Sequence, residues 1–175
     1  MTSKPTQISK ATPAQSAVLQ PSTRFVVASW LAVVVVAALI FYMSVHTGDE
    51  LDSSSGIITL IREWLKQAAF TLFGSAVDIS PLGHFAEYFL FGIVLTNALR
   101  LHIPLRKAAL IALLIASTYG ITDEIHQLFV PQRSADPLDW VVDTIAAGLA
   151  CLLTAVLLMR RSHVNHTQSK HGSNL

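Results

Sequence analysis

The sequence predicts an all-α membrane protein, a bundle of four transmembrane helices with an amphipathic helix between the first and the second. Three observations support this prediction. The chain of 175 residues is 52% hydrophobic and only 13% charged, whereas an ordinary soluble domain contains about 25% charged residues. It has four long apolar runs, each near the roughly 20 residues that a helix needs to cross a bilayer. Its Lys and Arg residues are concentrated at those ends of the runs that would lie on one side of a membrane.

The first apolar run extends from Phe25 to Val45, between Arg24 and a polar loop. A cleaved signal peptide would have an apolar core of only about 7 to 15 residues, so the run indicates the first span. Residues 1–24 are rich in Ser, Thr, Gln and Pro. Such a composition buries too little apolar surface to offset the loss of chain entropy, and we expect a disordered cytoplasmic tail there.

Residues 57–73 predict an amphipathic helix rather than a span. Its apolar stripe comprises Ile57, Ile61, Trp64, Leu65, Ala68 and Leu72, with Arg62, Glu63, Lys66 and Gln67 outside the stripe. A helix with a polar face and a Trp on its apolar face is typical of the membrane interface. We expect this helix in the interface on the extracytoplasmic side.

Three further spans are predicted at about residues 82–99, 108–129 and 138–159. Pro81 suits the first turn of the second span, where a backbone N–H has no helical partner. Pro131 follows the third span, and the fourth is expected to stop at Arg160 and Arg161.

The basic residues predict the topology. With a cytoplasmic N terminus, nine of the 12 Lys and Arg residues lie inside, and Arg62, Lys66 and Arg133 lie outside, as the positive-inside rule requires. We therefore expect a multi-pass protein of the cell membrane with both termini in the cytoplasm. The predicted division is a transmembrane domain at 25–160, between cytoplasmic tails at 1–24 and 161–175.

The composition also excludes classes of function. A net charge of +1 provides no electrostatic footprint for nucleic acid. The one cysteine, Cys151, excludes an intramolecular disulfide and argues against a cysteine-based metal cluster.

Ionisable residues lie inside the predicted spans, at the outer ends of the last three. Each costs roughly 2.5–3.5 kcal/mol at mid-span on insertion scales, so such residues usually face a cavity or a partner. The candidate polar site comprises His84, Glu87, Tyr88, Asp123, Glu124, His126, Gln127, Arg133, Asp139 and Asp143. Asp139 and Asp143 are one turn apart, and Asp123 and His126 share a narrow arc of their helix. We expect the charged side chains to converge on one cavity that opens toward the outer face.

Some of these residues also have structural interpretations. Tyr88 and Tyr119 are of the type that anchors helices at the membrane interface. Arg133 can bridge carboxylates or hold the phosphate or carboxylate of a ligand. His126 can simply satisfy the hydrogen-bonding capacity of Asp123 or Arg133.

These residues resemble the VanZ-like family of small integral membrane proteins. The matching segments are HFAEY at 84–88, DEIHQLFVPQR at 123–133, and Asp139, Asp143 and Gly148, over roughly residues 80–150. The family commonly has Pro-Gly-Arg where this chain has Pro131, Gln132 and Arg133, and Gln adopts a positive φ only with strain. The family often has a basic residue shortly before the His, where this chain has Pro81 and Leu82. The resemblance implies a role at the cell envelope, because the family is named after a protein linked with low-level resistance to teicoplanin-type glycopeptides.

Three functions remain open at this point. In the first, the polar site binds a membrane lipid head group, a lipid-linked envelope precursor or a proton, without covalent chemistry. The second is a metal-dependent intramembrane enzyme that acts on a lipid-linked substrate. Its cofactor would be a divalent metal, with His84, Glu87, Asp123, Glu124 and His126 as candidate ligands, although no HExxH motif is present. The third is a proton-coupled transporter, for which a homodimer would supply eight spans.

Overall fold

The computed structural model describes residues 21–46, 56–74 and 80–172. In these ranges the chain forms five helices: α1 (Thr23–Val45), α2 (Ile57–Phe73), α3 (Ser80–Leu99), α4 (Leu105–Gln127) and α5 (Pro137–Gly172). The described residues contain no strand, so the all-α prediction is confirmed. Residues 1–20 of the predicted disordered tail lie outside the described residues.

Four of the described helices are long and apolar enough to cross a membrane. They are α1, α3, α4 and the Pro137–Arg161 part of α5. Their outward faces carry large apolar side chains, such as Val34, Leu114 and Leu152, which are about three-fifths exposed. A bilayer covers such faces with acyl chains, and each helix satisfies its own backbone groups. The predicted four-helix membrane bundle is therefore confirmed.

The first helix begins within the segment predicted as a tail. Thr23 and Arg24 are helical because Ser22 caps the helix, its hydroxyl accepting a hydrogen bond from the Phe25 N–H at 3.3 Å. Ser is among the preferred N-cap residues. The helix therefore begins at Thr23, two residues before the predicted start of the span at Phe25.

The candidate span of the last helix ends at Arg161, next to the predicted stop at Arg160 and Arg161, whereas the helix itself continues to Gly172. Residues 162–171 contain no Gly or Pro, so nothing in the chain breaks the backbone hydrogen bonds of the helix there. The third span ends at Gln127 rather than Phe129. The N–H groups of Phe129 and Val130 instead bond to carbonyls three residues earlier, at 2.9 and 3.1 Å, which tightens the helix end.

The amphipathic helix predicted at 57–73 forms as α2. Its last turn closes at Gly74, which has a φ of 68° and donates its N–H to the Phe70 carbonyl. Glycine is the usual residue at this left-handed position. The location of α2 in the outer interface stays a prediction.

Helices α3 and α5 approach each other closely along small residues. Ala146, Ala147 and Ala150 of α5 are fully buried, and they face Gly92 of α3. A Cβ atom built on Gly92 would lie 2.8 Å from the Ala147 carbonyl oxygen and 3.0 Å from the Ala150 Cβ. Small residues at such crossings allow two backbones to approach, and this approach places the N-terminal ends of α3 and α5 side by side.

Helix α1 packs against α3 and α4 through one face of an otherwise uniformly apolar span. Val33, Val36 and Ile40 are buried on that face, and Ser44 continues it by one turn. Tyr119 of α4 fixes the contact, because its hydroxyl donates a hydrogen bond to the Ala37 carbonyl at 2.9 Å. The result is that Ser44 lies at the same end of the bundle as the polar residues of α3, α4 and α5.

Candidate functional site

Buried polar side chains occupy the place where the N-terminal ends of α3 and α5 meet the C-terminal end of α4. We call this group the polar cluster, and it comprises His84, Glu87, Asp123, Glu124, Gln127 and Asp143. The exposed fractions are 7% for His84, 5% for Asp123, 7% for Glu124, 2% for Gln127 and 0% for Asp143. Glu87 is half-buried and lies within electrostatic reach of His84, Asp123 and Asp143. Buried charges of this kind are costly unless they are paired or serve a ligand.

His84 joins α3 to α5. Its Nδ1 lies 3.2 Å from the Asp143 Oδ1, and its Nε2 lies 3.7 Å from the Asp139 Oδ2. Both distances are those of ion pairs, and the second is longer than a hydrogen bond. Asp143 is therefore the nearer partner of the imidazole.

The two carboxylates of α4 are each held through one oxygen. Asp123 accepts a hydrogen bond from Gln127 Nε2 at its Oδ2, over 3.3 Å. Glu124 accepts a hydrogen bond from the backbone N–H of Asp136 at its Oε2, over 2.7 Å. Ser44 of α1 lies beside the Asp123 carboxylate without good hydrogen-bond geometry. These contacts orient both carboxylates, and Glu124 Oε1 is left for another partner.

Several polar atoms at the site are buried without a hydrogen-bond partner among the residues that the structure describes. They are Ser44 Oγ, the Tyr88 hydroxyl, Glu124 Oε1, His126 Nε2, Arg133 Nε and Asp143 Oδ2. His84 Nδ1 and Asp143 Oδ1 also lack a hydrogen bond, but they form an ion pair with each other at 3.2 Å. An unsatisfied buried group costs about 1–3 kcal/mol, and native proteins contain few of them. Their concentration at one place makes this end of the bundle the candidate site for a polar ligand.

Acidic groups at this site outnumber basic ones. Glu87, Asp123, Glu124, Asp139 and Asp143 provide carboxyl groups, and the basic groups are His84 and Arg133. Like charges repel strongly where water is excluded. A ligand that donates hydrogen bonds or carries positive charge would therefore be favoured.

The candidate metal ligands separate into two groups. His84, Asp123 and Glu124 each offer one ligand atom, and these three atoms lie within 4.8 Å of one another. Glu87 and His126 are not part of this group in the described chain. The His126 ring instead stacks on Phe41 of α1, with ring centroids 4.8 Å apart.

The tyrosines and the arginine have distinct environments. Tyr88 is fully buried, so its interpretation as an interfacial anchor is wrong, and its ring meets Phe91 edge-on at 6.3 Å. Tyr119 connects α4 to α1 rather than the membrane surface. Arg133 is half-buried in the loop and acts electrostatically on Glu87 and Asp123. Its neighbour Gln132 has a φ of 63°, so this turn adopts the left-handed conformation for which the family commonly uses Gly.

Three residues of this site were not predicted from the sequence. Ser44 was hidden because α1 is apolar all round and its sequence shows no preferred face. Asp136 could have been found from the sequence, because an Asp directly before a Pro indicates the start of a helix. Its Oδ1 accepts a hydrogen bond from the Leu138 N–H at 2.8 Å. Gly120 lies against Asp143, whose Oδ2 would be 3.4 Å from a Cβ built there.

The fold and the polar cluster define an integral membrane protein with a buried polar site at one end of its helix bundle. The chain belongs to the VanZ/LLP1 family, whose sequence model matches residues 29–159. The family resemblance predicted from the motifs is thereby confirmed, and the match includes every residue of the polar cluster. No curated protein and no solved structure matches the chain significantly.

Proposed function

We propose that this VanZ-family protein acts on the cell envelope by binding, at the polar cluster, the head group of a membrane lipid or of a lipid-linked envelope precursor. The observation that supports this proposal most directly is the set of buried polar atoms without a partner in the described chain. Side chains from four different helices and one loop contribute to it, so the bundle positions them together.

An apolar groove beside the polar cluster favours a lipid over a small soluble ligand. The groove has a volume of about 200 Å³ and is lined by Ile121, Glu124, Ile125, Leu128, Ala135, Pro137 and Trp140. Ile125 and Leu128 are more than half exposed, so the groove faces the side where lipid acyl chains lie. Glu124 belongs to both the groove and the polar cluster. An amphiphile with its chain in the groove would therefore bring its head group to Glu124.

The charges of the site indicate the chemistry of the head group. Carboxylates accept hydrogen bonds, so they favour a head group rich in amino or hydroxyl donors. Arg133 is the basic group that could hold a phosphate of the same molecule. Glycosylated lipid phosphates combine both properties, and the predicted topology would put the polar cluster in the outer leaflet.

Native mass spectrometry of the full chain in mild detergent tests this proposal. The wild-type protein is expected to retain a lipid adduct, and Asp143→Asn and Glu124→Gln should reduce its occupancy at least tenfold. Glu63→Gln is the matched control, because Glu63 is an exposed acid on α2 paired with Lys66 at 3.2 Å. A thermal unfolding midpoint near the wild-type value shows that a variant is folded. Equal lipid occupancy in the wild type and in folded cluster variants would contradict the proposal.

A further inference from the structure

The ligand atoms of His84, Asp123 and Glu124 have the proximity that a single cation requires. They lie within 4.8 Å of one another, and the three side chains are each more than nine-tenths buried. Opposite ligands of a cation with bonds of about 2.1 Å are separated by about 4 Å. Small side-chain rotations would therefore bring the three atoms onto one ion.

Each of these three side chains is also oriented by a neighbour, as metal ligands usually are. Gln127 holds Oδ2 of Asp123, and the Asp136 N–H holds Oε2 of Glu124. Asp143 lies 3.2 Å from Nδ1 of His84, so Nε2, which faces Asp139 Oδ2 at 3.7 Å without a hydrogen bond, is the nitrogen left for an ion.

A buried, unpaired oxygen gives independent support for a ligand. Glu124 Oε1 has no hydrogen-bond partner within the described part of the chain, although Glu124 is only 7% exposed. Carboxyl groups also outnumber the two basic groups, His84 and Arg133, so a bound cation would offset the excess negative charge. A divalent cation would offset two negative charges at once, whereas Arg133 supplies one.

We infer that His84, Asp123 and Glu124 form a binding site for one divalent transition-metal cation, of the Mn²⁺ or Zn²⁺ type. A mixture of one imidazole and two carboxylates suits these ions better than Ca²⁺ or Mg²⁺, which prefer oxygen ligands alone. The cation would supply the positive charge with which a carboxylate-rich site can hold a phosphate. This last role rests on the proposed function, whereas the cation site itself does not require a lipid.

The full chain, stripped with EDTA and exchanged into metal-free detergent, tests the inference with Mn²⁺ alone and with Zn²⁺ alone. One of the two ions is expected to bind at one per chain by elemental analysis and to raise the unfolding midpoint. Asp123→Asn and Glu124→Gln should each weaken its affinity at least tenfold. Gln127→Ala, which removes only the partner of Asp123, should weaken it by about 10-fold or more. Glu63→Gln should bind like the wild type.

A second variant keeps the inference testable if the carboxylate variants do not fold. His84→Asp converts the site to oxygen ligands alone, so the ratio of Mn²⁺ to Zn²⁺ affinity should rise at least tenfold, a change that a purely structural role for His84 would not produce. Less than one tenth of an ion per wild-type chain, or an unchanged affinity ratio in His84→Asp, would overturn the inference. Lipid retention in EDTA is measured separately. Metal binding without any lipid adduct would defeat the proposed function alone, and a lipid adduct without metal binding would defeat the cation site alone.

Discussion

The strongest electrostatic contact in the polar cluster is between His84 on α3 and Asp143 on α5. Asp143 is fully buried, and its Oδ1 lies 3.2 Å from the imidazole. Removing one member of a buried pair leaves the other charge without compensation, which is more costly than removing both. The pair should therefore be visible as a coupling energy.

We predict that His84→Gln and Asp143→Asn each lower the free energy of unfolding, and that the double variant loses less than the sum of the two. The coupling energy should be about 1–3 kcal/mol, the range for residues in direct contact. Reversible unfolding in mixed detergent micelles provides the measurement. His84→Gln combined with Glu63→Gln is the additive control, because Glu63 pairs with Lys66 on α2. Strict additivity in the first pair would show that the imidazole and the carboxylate do not interact.

Gln132 provides a second test at the residue scale, in the loop that carries Arg133. Its φ of 63° is unfavourable for a side chain with a Cβ atom, and such strain costs about 1–3 kcal/mol. We predict that Gln132→Gly raises the free energy of unfolding by about 1 kcal/mol, because glycine adopts this conformation without strain. The increase is reduced because glycine also gains freedom in the unfolded chain.

Ser134→Gly is the control for this prediction. Ser134 is also in the loop, but it is not among the described residues that have a positive φ, so the same change should leave stability unchanged or lower it. Thermal unfolding of both variants in one detergent decides between the outcomes. A lower midpoint for Gln132→Gly than for the wild type would show that the loop does not require the left-handed conformation.

The small residues that join α3 to α5 determine how closely these helices pack. At Gly92, an added Cβ would meet the backbone carbonyl of Ala147 at 2.8 Å, and a backbone atom cannot rotate away. At Gly83, nothing lies within 4 Å of the added Cβ, and at Gly148 the nearest atom is the Leu113 Cδ1 at 3.7 Å. The three glycines therefore differ in packing although all are helical.

We predict that Gly92→Ala destabilises the bundle by about 1–3 kcal/mol, the usual cost of overpacking. Gly83→Ala and Gly148→Ala should be neutral or stabilising by up to about 1 kcal/mol, because alanine favours the helix. Unfolding midpoints of the three variants provide the comparison, and lipid adduct occupancy should fall in Gly92→Ala alone. A Gly92→Ala protein as stable as the Gly83→Ala protein would show that α3 and α5 are further apart.

The helices were predictable because bilayer thickness sets the length of an apolar run, and the shared depth of His84, Asp123 and Asp143 followed from their positions in those runs. The rotation of each helix about its axis was not predictable from spacing. Tyr88 therefore proved to be buried, and the Ser44 contribution was missed. Rotation depends on which faces pack, and in α1 every face is apolar. The backbone contact between Asp136 and Glu124 depends on the loop path, which residue periodicity does not determine.

At the scale of the whole molecule, the distribution of basic residues predicts which leaflet would supply the proposed ligand. Arg100, Arg106 and Lys107 lie at the end of the bundle opposite the polar cluster, as do Arg160 and Arg161. The positive-inside rule assigns that end to the cytoplasm. The groove at Glu124 would then open to outer-leaflet lipids, where extracytoplasmic envelope precursors are found.

We predict that Ser134→Cys, in the loop beside the polar cluster, reacts with a membrane-impermeant maleimide in intact cells. Pro104→Cys, at the opposite end, should react only after the membrane is permeabilised. Both positions are exposed, and neither substitution changes a charge that sets orientation. Cys151 is 3% exposed, so it should not react and can remain in place. Labelling of Pro104→Cys from outside would reverse the topology, place the polar cluster in the cytoplasmic leaflet, and redirect the search for the ligand to lipids of that leaflet.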